Sequence, residues 1–363
     1  VQSYRDLPIL MNQWSNVMRW ELRTRLFLRT SEFLWQEGHT AHATADEAQA
    51  ETLQMLGVYR TFMEDWVAMP PVTGFKSESE KFAGAVHSVA CEALMQDNKA
   101  LQAGTSHFLG QNFSKQFDLK FQSEAGQEEY AWNTSWGVST RLVGGMVMTH
   151  GDDVGIIVPP KLAPSQVVIV PISRKEEERV AVKEKADQLA AQLKDLGVRV
   201  KVDGRDHLSP GAKFWEWERK GVPFRLEVGP KDLAKEQAVL VRRKTFGDED
   251  RKEFLPEADA VGGMSDRLDV FQASLLQAAR DRREANSHRG VNTLEELQEI
   301  MEGDGGFVYA GWNGDPKVED MVKEKTKATI RVIPDPEFKT GDPPRKCIGG
   351  GDAKMEVVFA KAY

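Results

Sequence analysis

The sequence predicts a protein of mixed α+β and α/β class, built from an antiparallel-sheet domain, an α/β domain and a small α+β domain. Three observations support this prediction. At 363 residues the chain is too long for one ordinary core. Residues 20–44 hold two short apolar runs about a polar loop, which is typical of antiparallel strands. Residues 165–285 alternate strand and helix patterns, which is typical of an α/β domain.

The composition bears on whether the protein can have a membrane or a nucleic acid as its partner. Hydrophobic residues make up 40% and charged residues 29% of the chain, as in globular proteins, and no apolar run is long enough to cross a bilayer. The net charge is −8, but residues 165–285 carry 24 Lys and Arg against 23 Asp and Glu. RNA needs only a local basic patch, so the global charge does not exclude it. Two distant cysteines, Cys91 and Cys347, fit a reducing compartment.

The first domain, residues 1–164, begins with the predicted hairpin. Leu26–Arg29 forms one strand and Phe33–Trp35 the other, so that Arg29 and Glu32 meet at the loop. This pair suits a phosphate or carboxylate on the guanidinium and an exocyclic amine on the carboxylate. An exposed salt bridge at a turn is the alternative.

Further elements follow in the same domain. Thr44 and Glu47 form a capping box at the start of an amphipathic helix, and Ser79 to Met95 reads as a second helix that buries Cys91. Residues 102–113 form a glycine-punctuated loop, residues 130–136 a strand, and residues 154–160 a buried strand.

Arg141 lies in the first turn of the helix that Ser139 begins. A cation there opposes the helix dipole and favours a phosphate partner, with an ion pair to Asp152 as the alternative.

The second domain, residues 165–285, contains a predicted βαβ unit. A buried strand at 167–172, a helix at 182–196 and a strand at 198–202 form this unit, and strands at 224–228 and 238–241 complete a mixed sheet. A helix from Ser265 to Ala285 covers one face. The third domain, residues 286–363, has helices at 293–301 and 317–327 and a strand at 328–333.

Three motifs together resemble those of the prolyl-tRNA synthetases of the eukaryote- and archaeon-like type, which are class II aminoacyl-tRNA synthetases. Residues 27–40 (FLRTSEFLWQEGHT) resemble the motif 2 hairpin, residues 136–141 (WGVSTR) resemble motif 3, and residues 102–113 (QAGTSHFLGQNF) resemble the proline-site loop. The similarity extends from residue 1 to the C-terminal Tyr363.

The resemblance implies a class II antiparallel-sheet catalytic domain, an α/β anticodon-binding domain and a C-terminal domain of degenerate zinc-site type. The implied activity is ATP-dependent ligation of L-proline to tRNA(Pro) through prolyl-adenylate, with Mg²⁺ as cofactor. Arg29 and Arg141 would be the catalytic residues. The residues implied in ATP binding are Arg29, Glu32, Thr40, Gln102, Thr105, Ser139 and Arg141. Arg29 and His107 would bind proline, and Lys231, Arg242, Arg243 and Lys244 would contact tRNA.

Other expectations follow from the same resemblance. One thiolate, Cys347, cannot make a tetrahedral zinc site, so we expect no metal in the C-terminal domain. We expect a cytoplasmic homodimer with no membrane and no DNA partner. Motif 1 and a Thr-Ser-Glu loop would precede Val1, so we expect this chain alone to bind ATP weakly and to have essentially no activity in pyrophosphate exchange.

Two rival functions remain at this point. The first is a noncatalytic synthetase-like protein that binds tRNA or another partner, which the joint presence of Arg29, Glu32, Thr105, His107 and Arg141 disfavours. The second is another class II synthetase, which the small proline-type loop around His107 disfavours.

Overall fold

A computed structural model describes residues 1–173, 175–243 and 252–363. These residues form two compact units. Unit 1 comprises residues 1–64, 69–145 and 280–363, and unit 2 comprises residues 65–68 and 146–279. Residues 286–363 therefore pack within the same compact unit as the first 145 residues. The division into three domains at 164/165 and 285/286 stays a prediction.

The elements are numbered along the chain. The strands of unit 1 before unit 2 are β1 (Ile9–Met18), β2 (Glu32–His42), β3 (Val72–Phe75), β4 (His87–Leu94), β5 (Ala100–Gly110), β6 (Lys120–Gln122), β7 (Glu128–Tyr130) and β8 (Trp132–Ser139). The helices of this part are α1 (Ala45–Thr61), α2 (Asn112–Phe117) and α3 (Arg141–His150), of which α3 runs on into unit 2 from Met146.

Unit 2 continues with strands β9 (Val167–Pro171), β10 (Val200–Val202), β11 (Phe224–Val228), β12 (Gln237–Arg242) and β13 (Lys252–Pro256). Its helices are α4 (Glu176–Asp195), α5 (Pro210–Arg219), α6 (Pro230–Leu233), α7 (Glu257–Gly262) and α8 (Met264–Ala285), of which α8 runs on into unit 1. The last part of unit 1 contains β14 (Ser287–Val291), α9 (Leu294–Glu302), β15 (Phe307–Trp312), α10 (Pro316–Thr326), β16 (Thr329–Pro334) and β17 (Met355–Ala360).

A ten-stranded sheet, in the described part of the chain, organises unit 1. Its strand order is β1-β2-β8-β5-β4-β3-β16-β17-β15-β14, and its pairs are antiparallel except β14 with β15. The pairing of β16 with β3 joins residues far apart in sequence, with Ile333 opposite Phe75 and Pro334 opposite Gly74. A Cβ on Gly74 would lie 2.1 Å from the Ile333 carbonyl oxygen, so only glycine allows the two strands to approach this closely.

A buried ion cluster reinforces this junction. The carboxylate of Glu92 on β4 accepts two hydrogen bonds from the Arg331 guanidinium of β16, at 2.9 and 3.0 Å. Lys76 Nζ lies 3.3 Å from the same carboxylate and donates to the Arg331 carbonyl oxygen at 2.7 Å. All three side chains are buried. The bidentate geometry satisfies charges that would otherwise be costly to bury.

Several predicted elements are confirmed and others are wrong. Thr44 and Glu47 cap α1 as predicted. The hairpin partner of β2 is not residues 26–29 but β1, with Met18 opposite Glu32, and residues 19–31 form the connecting loop. Residues 87–94 form β4 rather than a helix, and Cys91 on this strand is fully buried. Residues 154–160 run without strand pairing.

Unit 2 is built on a five-stranded mixed sheet of order β10-β9-β11-β12-β13. β9 pairs in parallel with β10 and β11, whereas β11, β12 and β13 pair antiparallel. The predicted βαβ unit of β9, α4 and β10 is confirmed. Helices α4, α7 and α8 contribute Leu189, Val261, Leu268 and Phe271 to one apolar core with the sheet.

Candidate active-site groove

A groove of about 560 Å³ lies on the sheet of unit 1. β2, β5 and β8 form its floor, the start of α3 closes one side, and the loops 19–31 and 76–86 form its rim. The side chains and backbone that line it come from Arg19, Glu21, Phe27, Leu28, Arg29, Thr30, Phe33, Trp35, Glu37, His39, Lys76, Glu80, Lys81, Phe82, Ser88, Gln102, Ala103, Gly104, Thr105, His107, Ser135, Trp136, Gly137, Val138, Ser139 and Arg141.

Alternation along β2 decides which of its residues reach the groove. Phe33, Trp35, Glu37 and His39 occur at every second position and line it. Gln36 lies on the other face, where its Oε1 accepts a hydrogen bond from the Tyr59 hydroxyl of α1 at 2.9 Å. Since the side chain period of a strand is two, a residue of even number on β2 cannot share the face of Glu37 and His39.

Three predicted residues of β5 lie in the groove, although the segment is a strand rather than a loop. Gln102, Thr105 and His107 line it. His107 Nδ1 lies 2.7 Å from Ser88 Oγ on the neighbouring β4, and the ring packs against Phe82 at a centroid distance of 4.9 Å. Burial lowers the pKa of His107 to about 4, so the imidazole is neutral at physiological pH.

Arg141 reaches across the groove from the first turn of α3. Its guanidinium donates to the carbonyl oxygens of Leu28 at 3.0 Å and Gln102 at 3.2 Å. Within the described residues no carboxylate forms an ion pair with Arg141, and Asp152 pairs instead with Arg243. Burial, with the nearby charges of Arg29 and Arg19, holds the pKa of Arg141 below its ordinary value. A partly buried cation near two others favours an anionic ligand.

The loop 19–31 brings further charged groups to the rim. Arg29 Nη2 donates to the Tyr363 carbonyl oxygen at 3.0 Å, and Nη1 lies 3.8 Å from Glu21. The Arg19 guanidinium lies over the rings of Phe33 and Trp35, at 5.2 and 5.4 Å from their centroids. Arg19, Arg29 and Arg141 therefore supply three cations to one groove.

The structure brings six of the predicted small-ligand residues together and leaves two outside. Arg29, Gln102, Thr105, His107, Ser139 and Arg141 line the groove. Glu32 is exposed at the start of β2, where its carboxylate accepts from Asn16 Nδ2 at 2.5 Å. Thr40 is buried on the opposite face, with its hydroxyl 2.5 Å from that of Thr134. Neither side chain lines the groove, and the ATP contacts of Glu32 and Thr40 stay a prediction.

Arg19, Trp35, Glu37 and His39 line the groove but were missing from the predicted site. A signal for the last three exists in the sequence, since Trp35, Glu37 and His39 follow Phe33 at every second position, the spacing of one strand face. Arg19 directly precedes the stretch from Trp20 that the hairpin prediction used. Its proximity to the groove depends on the register of β1 with β2, which places its backbone amide 2.7 Å from the Ser31 carbonyl oxygen.

The predicted tRNA contacts in unit 2 differ in exposure. Lys231 is exposed on α6. Arg242 is partly exposed, with its guanidinium 5.3 Å from the Phe271 ring centroid. Arg243 is buried and makes a bidentate ion pair with Asp152 at 2.8 and 2.9 Å, so its RNA contact stays a prediction that this geometry does not favour. Lys244 lies outside the described residues.

Two properties of the described residues bear on metals and membranes. They contain no group of three or more His, Cys, Asp or Glu side chains placed to hold a metal ion. They also contain no helix with the length and apolar character needed to cross a membrane. Cys347 is buried beside Gly311, close to the positions where the zinc ligands of relatives were expected.

Family models match three segments of the chain. Residues 1–150 match the class II tRNA synthetase core domain of the G, H, P, S and T type. Residues 166–263 match the anticodon binding domain, and residues 294–363 match the C-terminal domain of prolyl-tRNA synthetase.

Relatives of known name match over the whole chain. A proline–tRNA ligase from Chlorobium phaeobacteroides is 52% identical, and one from Natranaerobius thermophilus is 51% identical. The chain spans 75% and 74% of these two relatives.

Solved structures of prolyl-tRNA synthetase from Cryptosporidium parvum match with a TM-score of 0.92 and 39% identity, over 100% of this chain and 75% of theirs. One is complexed with halofuginone and AMPPNP, the other with L-proline and AMP. The resemblance read from the three sequence motifs is confirmed, and the chain belongs to the prolyl-tRNA synthetase family of class II aminoacyl-tRNA synthetases.

Proposed function

We propose that this protein ligates L-proline to tRNA(Pro) in two ATP-dependent stages, through a prolyl-adenylate bound in the groove. The observation that carries the proposal is that the groove contains two different environments, one cationic and one neutral. Arg19, Arg29 and Arg141 supply positive charge for phosphates, whereas His107 and Phe82 form a small neutral and aromatic compartment. That combination suits a triphosphate and a small apolar amino acid in one site.

Adenylate formation needs no protein nucleophile, because the proline carboxylate itself attacks the α-phosphorus and pyrophosphate leaves. The contribution of the protein is orientation and stabilisation of charge on the phosphate oxygens. Arg141 is held for this role by its bonds to the Leu28 and Gln102 carbonyls, which leave part of its guanidinium for the ligand. Arg29 lines the same groove from the loop 19–31.

Magnesium would enter this groove together with the nucleotide. Glu21, Glu37 and Glu80 are the carboxylates that line the groove, and they do not form a preassembled cluster. Mg²⁺ commonly takes one or two protein carboxylates and completes its shell with phosphate oxygens and water. The donor set fits an ion that bridges the nucleotide and neutralises its charge.

Pyrophosphate exchange with the complete protein tests the proposed activation. We expect exchange of labelled pyrophosphate into ATP that depends on L-proline, with alanine and cysteine as competing amino acids that support far less. Exchange without a preference for proline would show that proline is not the substrate. Absence of exchange combined with tight tRNA binding would favour a noncatalytic tRNA-binding protein.

We propose that unit 2 binds the anticodon region of tRNA(Pro) and that Lys231 and Arg242 contact the RNA. The near balance of charges in residues 165–285, against the acidic remainder, supports this role. Arg side chains suit guanine edges and phosphates, and both residues are at least partly exposed.

We propose a homodimer that uses the apolar surface of β1 and the loop after it. Leu10, Trp14 and Met18, which share one face of β1, are 59% to 81% exposed, and Trp20 in the loop after it is 92% exposed. β1 is an edge strand of the ten-stranded sheet. A contiguous exposed apolar surface of this kind is typical of an interface. Sedimentation of the complete protein should give a dimer that Trp14→Glu dissociates, and an unchanged dimer would exclude this surface.

A further inference from the structure

We propose that Ser88 is a positioning residue that fixes the tautomer of His107, so that the imidazole presents a protonated Nε2 to the amino-acid end of the groove. The inference rests on the proposed function, since it specifies which end of a bound amino acid His107 contacts. Its structural basis is the hydrogen-bond geometry around Ser88 Oγ.

Ser88 Oγ has two polar neighbours in the described part of the chain. The backbone amide of Phe82 donates to it at 3.1 Å, and His107 Nδ1 lies 2.7 Å away. The Phe82 amide can only donate, so Ser88 Oγ accepts that bond and still has its own proton to donate. His107 Nδ1 is the acceptor within reach.

The alternative tautomer leaves one group unsatisfied. If Nδ1 carried the proton, it would donate to Ser88 Oγ, and the Ser88 hydroxyl proton would lack an acceptor among the described residues. Leaving a buried donor unpaired costs more than a hydrogen bond gains. With Nδ1 unprotonated, the Phe82 amide, the Ser88 hydroxyl and Nδ1 are all paired. Since the imidazole is neutral, its single proton is then on Nε2.

A protonated Nε2 determines what His107 can bind. It donates to an acceptor oxygen, such as the proline carboxylate or the acyl carbonyl of the adenylate. It cannot accept from the secondary ammonium of proline, which has only N–H groups to offer. The Phe82 ring, 4.9 Å from the imidazole, limits rotation of the ring out of this position. His107 therefore contacts the carboxyl end of the substrate.

The first test measures the tautomer directly. Long-range ¹H–¹⁵N correlation spectra of protein labelled at histidine nitrogens, recorded near neutral pH, distinguish protonated from unprotonated ring nitrogens. We expect His107 to be protonated on Nε2, and Ser88→Ala to produce a mixture of tautomers. Ser88→Thr keeps the hydroxyl and should keep the tautomer. Ser106→Ala is the control, since Ser106 is a buried serine of β5 without a hydrogen-bond partner among the described residues. A wild-type spectrum with protonated Nδ1 would overturn the inference, whatever the variants do.

The second test asks which end of the ligand is involved. Ser88→Ala should weaken proline binding about two- to tenfold, the effect of one hydrogen bond, while the affinity for pyrrolidine, which lacks the carboxylate, stays the same. Equal losses for proline and pyrrolidine would show that His107 does not contact the carboxyl end. If proline binds neither the variant nor the wild type, the proposed substrate is wrong. The proposed tautomer is still tested by the spectra, which do not depend on proline binding.

Discussion

Arg141 and His107 show how much of the chemistry of the groove can be predicted from a single residue and its position in the sequence. The position of Arg141 in a first helical turn predicted an anionic partner, and the structure places it in a groove, bonded to two carbonyls and paired with no described carboxylate. Glu32 and Thr40 were assigned from their place in the motif. Their side chains face elsewhere because facing depends on strand register, which a motif does not encode.

Removal of a groove cation should slow activation. In the complete protein, Arg29→Ala and Arg141→Ala should each lower the rate of proline-dependent pyrophosphate exchange on the order of a hundredfold, about 3 kcal/mol of transition-state stabilisation. Arg179→Ala, on the exposed surface of α4, is the matched control and should leave the rate unchanged. Near-normal exchange by either groove variant would remove that arginine from the proposed mechanism.

The depressed pKa of His107 should appear in the pH dependence of stability. The unfolded chain takes up a proton near pH 6.5, but folded His107 does so only near pH 4. The unfolded state therefore binds more protons between these values, and stability falls as pH drops through this window, by up to about 1.4 kcal/mol per pH unit.

Urea denaturation of the wild type and of His107→Gln, at several pH values from 4.5 to 7, isolates this effect. The variant has no titrating group at this position, so its stability should decline less over the same range. Parallel curves for the two proteins would show that His107 titrates normally.

Helices and strands could be predicted from the sequence where the local residue pattern is typical of only one kind of element. The capping box of Thr44 and Glu47 and the alternating strand and helix patterns of the βαβ unit gave the correct structure. β4 was mistaken for a helix because a central strand buried on both faces lacks alternation, and its Ala90, Ala93 and Leu94 favour helices by propensity. β1 was missed because its apolar residues face outward.

The junction of β16 with the sheet should depend on the buried cluster of Arg331, Glu92 and Lys76. Arg331→Ala leaves the Glu92 carboxylate buried with only Lys76 as a cationic partner, and should lower the free energy of unfolding by about 3 to 5 kcal/mol.

Arg60→Ala is the matched control, because Arg60 also pairs with residues far along the chain, Glu337 among them, but in a partly exposed position. Its cost should be at most about 1 kcal/mol. Denaturant titration of both variants compares the two losses. Equal losses would mean that burial does not distinguish the two ion pairs.

At the scale of the whole molecule, the order of three motifs was sufficient to identify the family. The assembly of unit 1 from distant segments was not predictable, because the pairing of β3 with β16 depends on side chains some 260 residues apart. The roles of the basic residues in unit 2 likewise depend on burial, which separates Arg243 from its neighbour Arg242.

The neighbouring Arg242 and Arg243 of unit 2 should behave differently when replaced. Arg242→Ala should weaken tRNA binding by about 1 to 3 kcal/mol and leave proline activation almost unchanged. Arg243→Ala removes the partner of Asp152 and should lower thermal stability instead. Filter binding with tRNA(Pro), run beside thermal denaturation, separates the two effects. If Arg243→Ala lost tRNA binding while its thermal stability stayed unchanged, Arg243 would be an RNA contact as predicted.

The C-terminal region should contain no stoichiometric zinc, since Cys347 is its single cysteine. Elemental analysis of the purified protein is expected to find well under one zinc per chain. Zinc at one per chain that persists in Cys347→Ser would point to carboxylate or histidine ligands.

The insertion of unit 2 between the segments of unit 1 has a consequence for synthesis on the ribosome. β16 emerges only after all of unit 2 has been translated, so the central strand β3 must wait without its neighbour β16 for roughly ten to fifty seconds at ordinary elongation rates. Unit 2 is continuous apart from residues 65–68 and can collapse during that interval. Unit 2 can therefore fold before unit 1 is complete. During the delay the unpaired edge of β3 is exposed, and it is the surface that a chaperone would cover.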